Sequence, residues 1–201
     1  MGVRAGRPFG KLRAGPHDSR RGRRRYEERV IMAASKIAEG ASRPRPPGWA
    51  TVVATFFGIG RLRPGPGTWA SAATVLLWAA LAHEIPFYQR APWAIALAVL
   101  ITALGIPAAT KVARASGIKD PQFVVIDEVA GQLVALIAVP LAWKSFLASL
   151  ILFRAFDIVK PPPVRQLEAI PEGAGIVLDD VAAGLYALAA VHLLLHFGLL
   201  T

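Results

Sequence analysis

The 201-residue chain contains no cysteine. That excludes a disulfide framework, a thiolate nucleophile and Cys-ligated zinc, and it fits a reducing compartment. No apolar h-region precedes a cleavage site near the N-terminus, so a secretory signal peptide is not expected. Positive charge is also scarce where most of the chain lies, although the net charge is +10. Residues 1–45 carry 13 basic and 4 acidic side chains, whereas residues 46–201 carry 10 and 9. The basicity belongs to a tail, the body is near neutral, and nucleic acid is not an expected partner.

The tail, residues 1–48, is rich in Arg and Gly and has no apolar periodicity, which predicts disorder. Its "RRGRRR" run has the charge to meet RNA or anionic lipid. The plainer expectation is that residues 1–31 are a start-site artefact. Met32 opens a second start, "MAASKIAEG", behind "EER", which a purine-rich ribosome-binding sequence would encode. Residues 49–201 are expected to form one domain with a substantial core.

What the body has in quantity is apolar sequence. Five stretches read as helices: 68–85, 93–109, about 123–143, 145–160 and 181–200. Most fall in the range of roughly 17–25 residues that crosses a bilayer. A soluble core helix would show a polar stripe, and the second and fifth show almost none. Against this, mean hydropathy is only +0.46, and Pro140 and Lys144 make the middle pair resemble a hairpin of short spans. The expectation is an all-α bundle of five or six helices embedded in a membrane, with a soluble helical bundle as the competing reading. With a cytoplasmic N-terminal side, Arg61, Arg63, Lys111, Arg114, Lys119, Arg154, Lys160 and Arg165 share one face. Only Glu84, Arg90 and Lys144 fall on the other.

Four polar motifs lie on the face with the basic residues. In "FFGIGRLRPGPGTWAS", Gly58, Gly60, Gly65 and Gly67 permit tight turns whose amides can cradle an anion. Arg61 and Arg63 add charge, and Thr68 reads as an N-cap. The spacing is neither a Walker loop nor a dinucleotide fingerprint, and taken alone the loop reads first as structural. In "KDPQFVVIDEVAGQL", Asp120 before Pro121 reads as an N-cap, with Asp127 and Glu128 entering among apolar neighbours. These acids either complement a helix dipole or bind a ligand, and Gly131, four residues on, leaves room for close packing or substrate. In "FRAFDIVKPPPVRQLE", Arg154, Asp157 and Lys160 recur every three residues, as a salt-bridge ladder or as metal and phosphate ligands. In "GIVLDDVAAGL", Asp179 and Asp180 lie about 100° apart on a helix, so only one can enter a narrow seam. Gly184 marks a close approach four residues after Asp180. Carboxylates as hard oxygen ligands favour Mg²⁺. His83, His192 and His196 stand away from these motifs and read as core or interfacial.

Taken in order, these four blocks resemble the bacterial phosphatidylglycerophosphatase A family over residues 50–200. "RPGPG" departs from a family loop that often holds Lys and Ala, and Pro162 stands where Trp often follows. The resemblance implies a Mg²⁺-dependent phosphatase that releases phosphate from phosphatidylglycerol phosphate. It also implies a bundle in which one helix is surrounded by the others. It places the protein in the bacterial cytoplasmic membrane, multi-pass, with a site at the cytoplasmic face. Asp127, Glu128, Asp157, Asp179 and Asp180 form the expected metal pool, and the four aspartates carry catalysis. Gly58, Gly60, Arg61, Gly67, Thr68, Arg154 and Lys160 are the expected phosphate contacts. Rival phosphatase chemistries lack their motifs, since there is no Cys-x5-Arg and no Asp-x-Asp. A small transporter or a non-catalytic scaffold is the alternative, and the sequence leaves the oligomeric state open.

Overall fold

A computed structural model describes residues 19–42 and 45–200. Among them every regular element is helical. The chain divides into two units, Met1–Pro44 and Arg45–Thr201. In the first, helix α1 runs Ser19–Ser42. Disorder was the expectation for this segment, and over these residues it is replaced by helix. The reason is local: Arg, Glu, Ala and Met are good helix formers, and Glu27 and Glu28 interrupt the arginine repulsion.

The second unit contains α2 (Gly48–Ala54), a 3₁₀ turn (Ile59–Arg61), α3 (Pro66–Glu84), α4 (Phe87–Ser116), α5 (Ile126–Ala135), α6 (Trp143–Val159), α7 (Val164–Leu167) and α8 (Glu172–His196). Helix α5 is the central one, packed by α3, α4, α6 and α8. Nine of its ten residues are buried, and Glu128 is the exception. The expected third span, 123–143, is therefore too long. The helix stops because Ala138 turns into the left-handed region at φ 57° and Pro140 follows. At ten residues α5 rises only about 15 Å, too little to cross a bilayer. Apart from Asp127, Glu128 and Gln132 it is apolar all round, because protein surrounds it.

Helices α4 and α8 are long and apolar enough to cross a membrane. Their outward faces, and those of α3 and α6, leave Leu76, Leu77, Val99, Leu100, Ile151, Leu185 and Leu193 exposed. Water would not tolerate so continuous an apolar exterior, and lipid would. Exposed Trp49 and Trp69 sit toward one end of the bundle, and Phe87, Tyr88, Trp93 and Trp143 toward the other. Aromatic rings favour both edges of a bilayer. These features suit a membrane protein.

Inside, small residues set the spacing. A Cβ on Gly131 would strike the Asp180 carbonyl, and one on Gly184 would strike the Gly131 carbonyl. Backbones of α5 and α8 thus touch, as small residues allow in membrane bundles. Buried Gln132 Nε2 donates to Ser149 Oγ (3.0 Å), which donates to the Ala135 carbonyl (3.1 Å), tying α5 to α6. His192 Nε2 lies 3.0 Å from the Ile137 carbonyl at the far end of α8. That contact is structural, as expected for a histidine away from the acidic motifs.

Candidate active site

Helices α5 and α8 run parallel past their glycine contact, and each carries an aspartate one turn before it. Asp127 precedes Gly131 by four residues, and Asp180 precedes Gly184 by four. Side chains lean toward the N-terminus of their helix, so both carboxylates project to the same end of the bundle. Glu128 joins them. Ligand oxygens of Asp127, Glu128 and Asp180 all lie within 4.8 Å of one another. Asp127 Oδ1, Glu128 Oε2 and Asp180 Oδ2 are buried without a hydrogen-bond partner. Three unpartnered, mutually repelling oxygens suit a hard divalent cation such as Mg²⁺.

The cluster forms the floor of a cavity of about 430 Å³. Its wall comes from the first turn of α3 (Gly67), the segment before α5 (Lys119, Asp120, Gln122), the end of α6 (Arg154, Asp157, Lys160), Glu168 and the start of α8. The N-terminal ends of α3, α5 and α8 therefore converge on it, and each favours negative charge. Eight carboxylates line the cavity against three cationic side chains.

Arg154 Nη1 lies 2.7 Å from Asp157 Oδ2 and 3.6 Å from Glu128 Oε1, while its Nε is buried without an acceptor. Lys160 closes α6 in the left-handed region at φ 49° and turns its Nζ to within 2.6 Å of Asp179 Oδ2. Glu168 Oε2 is 3.5 Å from the same Nζ. Asp179 Oδ1 accepts the Asp180 backbone N–H at 3.0 Å. The adjacent aspartates thus part company, Asp180 toward the carboxylate cluster and Asp179 toward Lys160.

Burial, with the negative charges of Glu128 and Asp180, pushes the Asp127 carboxyl well above its ordinary range. Glu128 is also raised by burial, with Asp127 and Arg154 opposing the rise. Asp120 is raised by burial as well, against the pull of Lys160. For Lys160, burial favours the neutral amine, but Asp179 and Glu168 outweigh it and hold the ammonium above the usual lysine range.

Of the expected phosphate contacts, Gly67, Arg154 and Lys160 line the cavity. A Cβ on Gly67 would collide with the Glu128 carboxylate and reach Arg154 Nη1 at 3.1 Å. Arg61 lines an adjoining groove instead. Gly58, at φ 97°, shapes the turn, and Gly60 lets the backbone approach the Phe123 carbonyl. Thr68 is exposed in the first turn of α3, whose N-cap is Gly65, so its expected capping role is corrected. Asp120 does not cap a helix either, since α5 begins at Ile126 after Val125. Lys119, Gln122, Glu168 and Glu172 line the cavity without having been singled out as site residues. Glu168 was legible only as the end of the third motif, because α7 is too short to read from periodicity.

Comparison with known proteins adds an independent line. A family model described as phosphatidylglycerophosphatase A matches residues 52–195. A Bacteroides thetaiotaomicron protein, provisionally described as a phosphatidylinositol-3-phosphatase, is 40% identical over 71% of this chain and 91% of its own length. Proteins described as phosphatidylglycerophosphatase A from Haemophilus influenzae and Escherichia coli are 36% and 29% identical. Those alignments cover 70% and 72% of this chain and 85% and 83% of the relatives. No solved structure matches with significance.

Proposed function

The chain belongs to the phosphatidylglycerophosphatase A family and is a phosphatase, and from that premise we propose a Mg²⁺-dependent hydrolysis of phosphatidylglycerol phosphate to phosphatidylglycerol. The observation that carries the metal dependence is the trio of unpartnered oxygens on Asp127, Glu128 and Asp180. Those three residues are the metal ligands in this reading. When bound, Mg²⁺ supplies Lewis-acid polarisation of the phosphoryl group and a more acidic water.

The chain's own groups do the rest. Arg154 offers its free Nε to a phosphoryl oxygen, and Asp157 orients the guanidinium from the other side. Lys160 stays protonated and faces the phosphate as a second cation, with Asp179 holding its ammonium in place. The converging ends of α3, α5 and α8 favour charge that grows on the departing phosphate. Asp157 and Asp179 act as positioning residues for these cations, and Gly67 keeps Glu128 in line by leaving it space. The basic residues clustered at this end support a cytoplasmic placement of the site in a multi-pass protein.

The test is phosphate release from phosphatidylglycerol phosphate by purified protein, with Mg²⁺ and with EDTA. Release that stops in EDTA and returns with Mg²⁺ is expected. Release that EDTA leaves untouched refutes the metal, and no release with any divalent ion refutes the substrate. The Bacteroides relative favours one second reading, a phosphoinositide headgroup, so phosphatidylinositol 3-phosphate belongs in the same assay.

A further inference from the structure

Beside the acidic cavity lies a larger groove of about 1030 Å³ with different chemistry. Its lining includes Arg61, Leu62, Arg63, Ile118, Gln122 and Phe123. Gly65, Pro66, Asp120 and Gln122 line both spaces and form their common border. We propose that this groove is the subsite for the phosphodiester of the lipid substrate, with Arg61 and Arg63 as the residues that select lipids carrying that second phosphate. The proposal rests on the hydrolytic reading above.

A phosphatidylglycerol phosphate headgroup carries two phosphates, three carbons apart on one glycerol. The terminal monoester belongs at the carboxylate cluster, where a cation can meet it. The internal diester keeps one negative charge and leads to the acyl chains, so it needs a cation and then an apolar path. In the acidic cavity Arg154 already faces Asp157, and Lys160 faces Asp179 and Glu168, which leaves Lys119 as the third cation. Arg61 and Arg63 are exposed and have no carboxylate partner among the described residues. Leu62 and Ile118, both half-exposed, supply the apolar rim, and Phe57, 81% exposed, projects from the same loop.

The groove is built rather than loose. Trp69 Nε1 donates to the Pro64 carbonyl at 2.9 Å and fixes the turn that bears Arg63. Gly60 presses its backbone on the Phe123 carbonyl, which sets the turn bearing Arg61 against the opposite wall. Val125 N–H donates to the Ala54 carbonyl at 2.8 Å and anchors that wall.

The experiment compares the full chain with its Arg61→Gln, Arg63→Gln and double variants on two lipids in mixed micelles. One is phosphatidylglycerol phosphate, and the other is phosphatidic acid, which has the monoester without the diester. The kcat/KM ratio between them is expected to fall about tenfold per arginine, the scale of one lost charge-assisted hydrogen bond. The change should lie in KM. A second measurement, calorimetric binding of short-chain phosphatidylglycerol in EDTA, needs no catalysis and should weaken by a similar factor in the variants. A double variant whose kcat/KM ratio and binding both stay within threefold of wild type overturns the subsite. Arginine-dependent binding by a protein that releases no phosphate would instead keep the subsite and sink the hydrolytic reading.

Discussion

Gly184→Ala tests whether glycine contact between α5 and α8 sets the site. The added Cβ would meet the Gly131 carbonyl, with Gly131 C and Val134 Cβ each at 3.0 Å. Carbon atoms rest near 3.5–4.0 Å, so the helices must part by roughly 0.5–1 Å. Asp180 rides on α8 one turn away and moves with it. Mg²⁺ bonds of about 2.1 Å let one ion span ligand oxygens no more than about 4.2 Å apart. The three oxygens lie within 4.8 Å of one another, so a displacement of this size is large against the margin for sharing an ion. The expected cost is about 1–3 kcal/mol of stability from overpacking. It should come with a fall of roughly 10²-fold in activity from misplacement of the ligands. A Mg²⁺ titration of phosphate release, with a thermal midpoint measured in parallel, separates the two effects. The concentration of Mg²⁺ for half-maximal rate should rise, while the folded fraction at assay temperature stays high. A variant with wild-type Mg²⁺ response and wild-type rate refutes the reasoning.

The adjacent aspartates should behave differently. Asp180→Asn removes a proposed metal ligand and is expected to lower kcat by about 10³-fold or more, whereas Asp179→Asn loosens Lys160 and should cost much less. Equal losses in the two would contradict the division seen between them. Gly67→Ala pushes on the ends of two flexible side chains, Glu128 and Arg154, rather than on backbone. Its thermal midpoint should change little while phosphate release falls about tenfold, and unchanged release would remove Glu128 from the site. A pH series tests the buried acids. Burial holds Asp127 and Glu128 above their ordinary 3.8 and 4.5, so the folded metal-free protein binds more protons than the unfolded chain. Stability in EDTA should therefore fall as pH rises from about 4 through the folded values, and Mg²⁺ should restore more at higher pH. A thermal midpoint in EDTA that is flat or rising over that range would contradict it.

The four motifs and the all-helical class were legible because apolar runs and acidic interruptions are properties of the sequence itself. What was hidden came from context. Apolar composition does not separate a helix wrapped by protein from one wrapped by lipid, so α5 read as a span of the same kind as α4 and α8. Pro121 is a sound local signal for a helix start, yet Gly60 packs on the Phe123 carbonyl and Val125 bonds to Ala54. Those tertiary contacts hold 121–125 out of the helix until Ile126. Thr68 lost its capping place to Gly65, whose φ of 68° lets Pro66 open α3 two residues earlier. Helix geometry said that Asp179 and Asp180 diverge. Which one meets Asp127 and Glu128 depends on where α5 and α6 lie beside α8, and no local pattern records that.

Charge explains why the site needs something the chain does not supply. Eight carboxylates face three cations in the cavity, an excess of five negative charges. Glu172 is paired outward with Arg114, which removes one. Three helix N-termini at about half a charge each offset roughly one and a half more. The remainder, about two and a half, is close to what one divalent cation and a shared proton among the raised acids would balance. A phosphate dianion entering afterwards restores the deficit, so substrate and further positive charge must arrive together. Arg154, with its buried and unpartnered Nε, and Lys160 are the cavity cations placed to meet part of that charge. The same accounting suits a cavity at the end of the bundle rather than at its middle, where ions and headgroups from water can reach it.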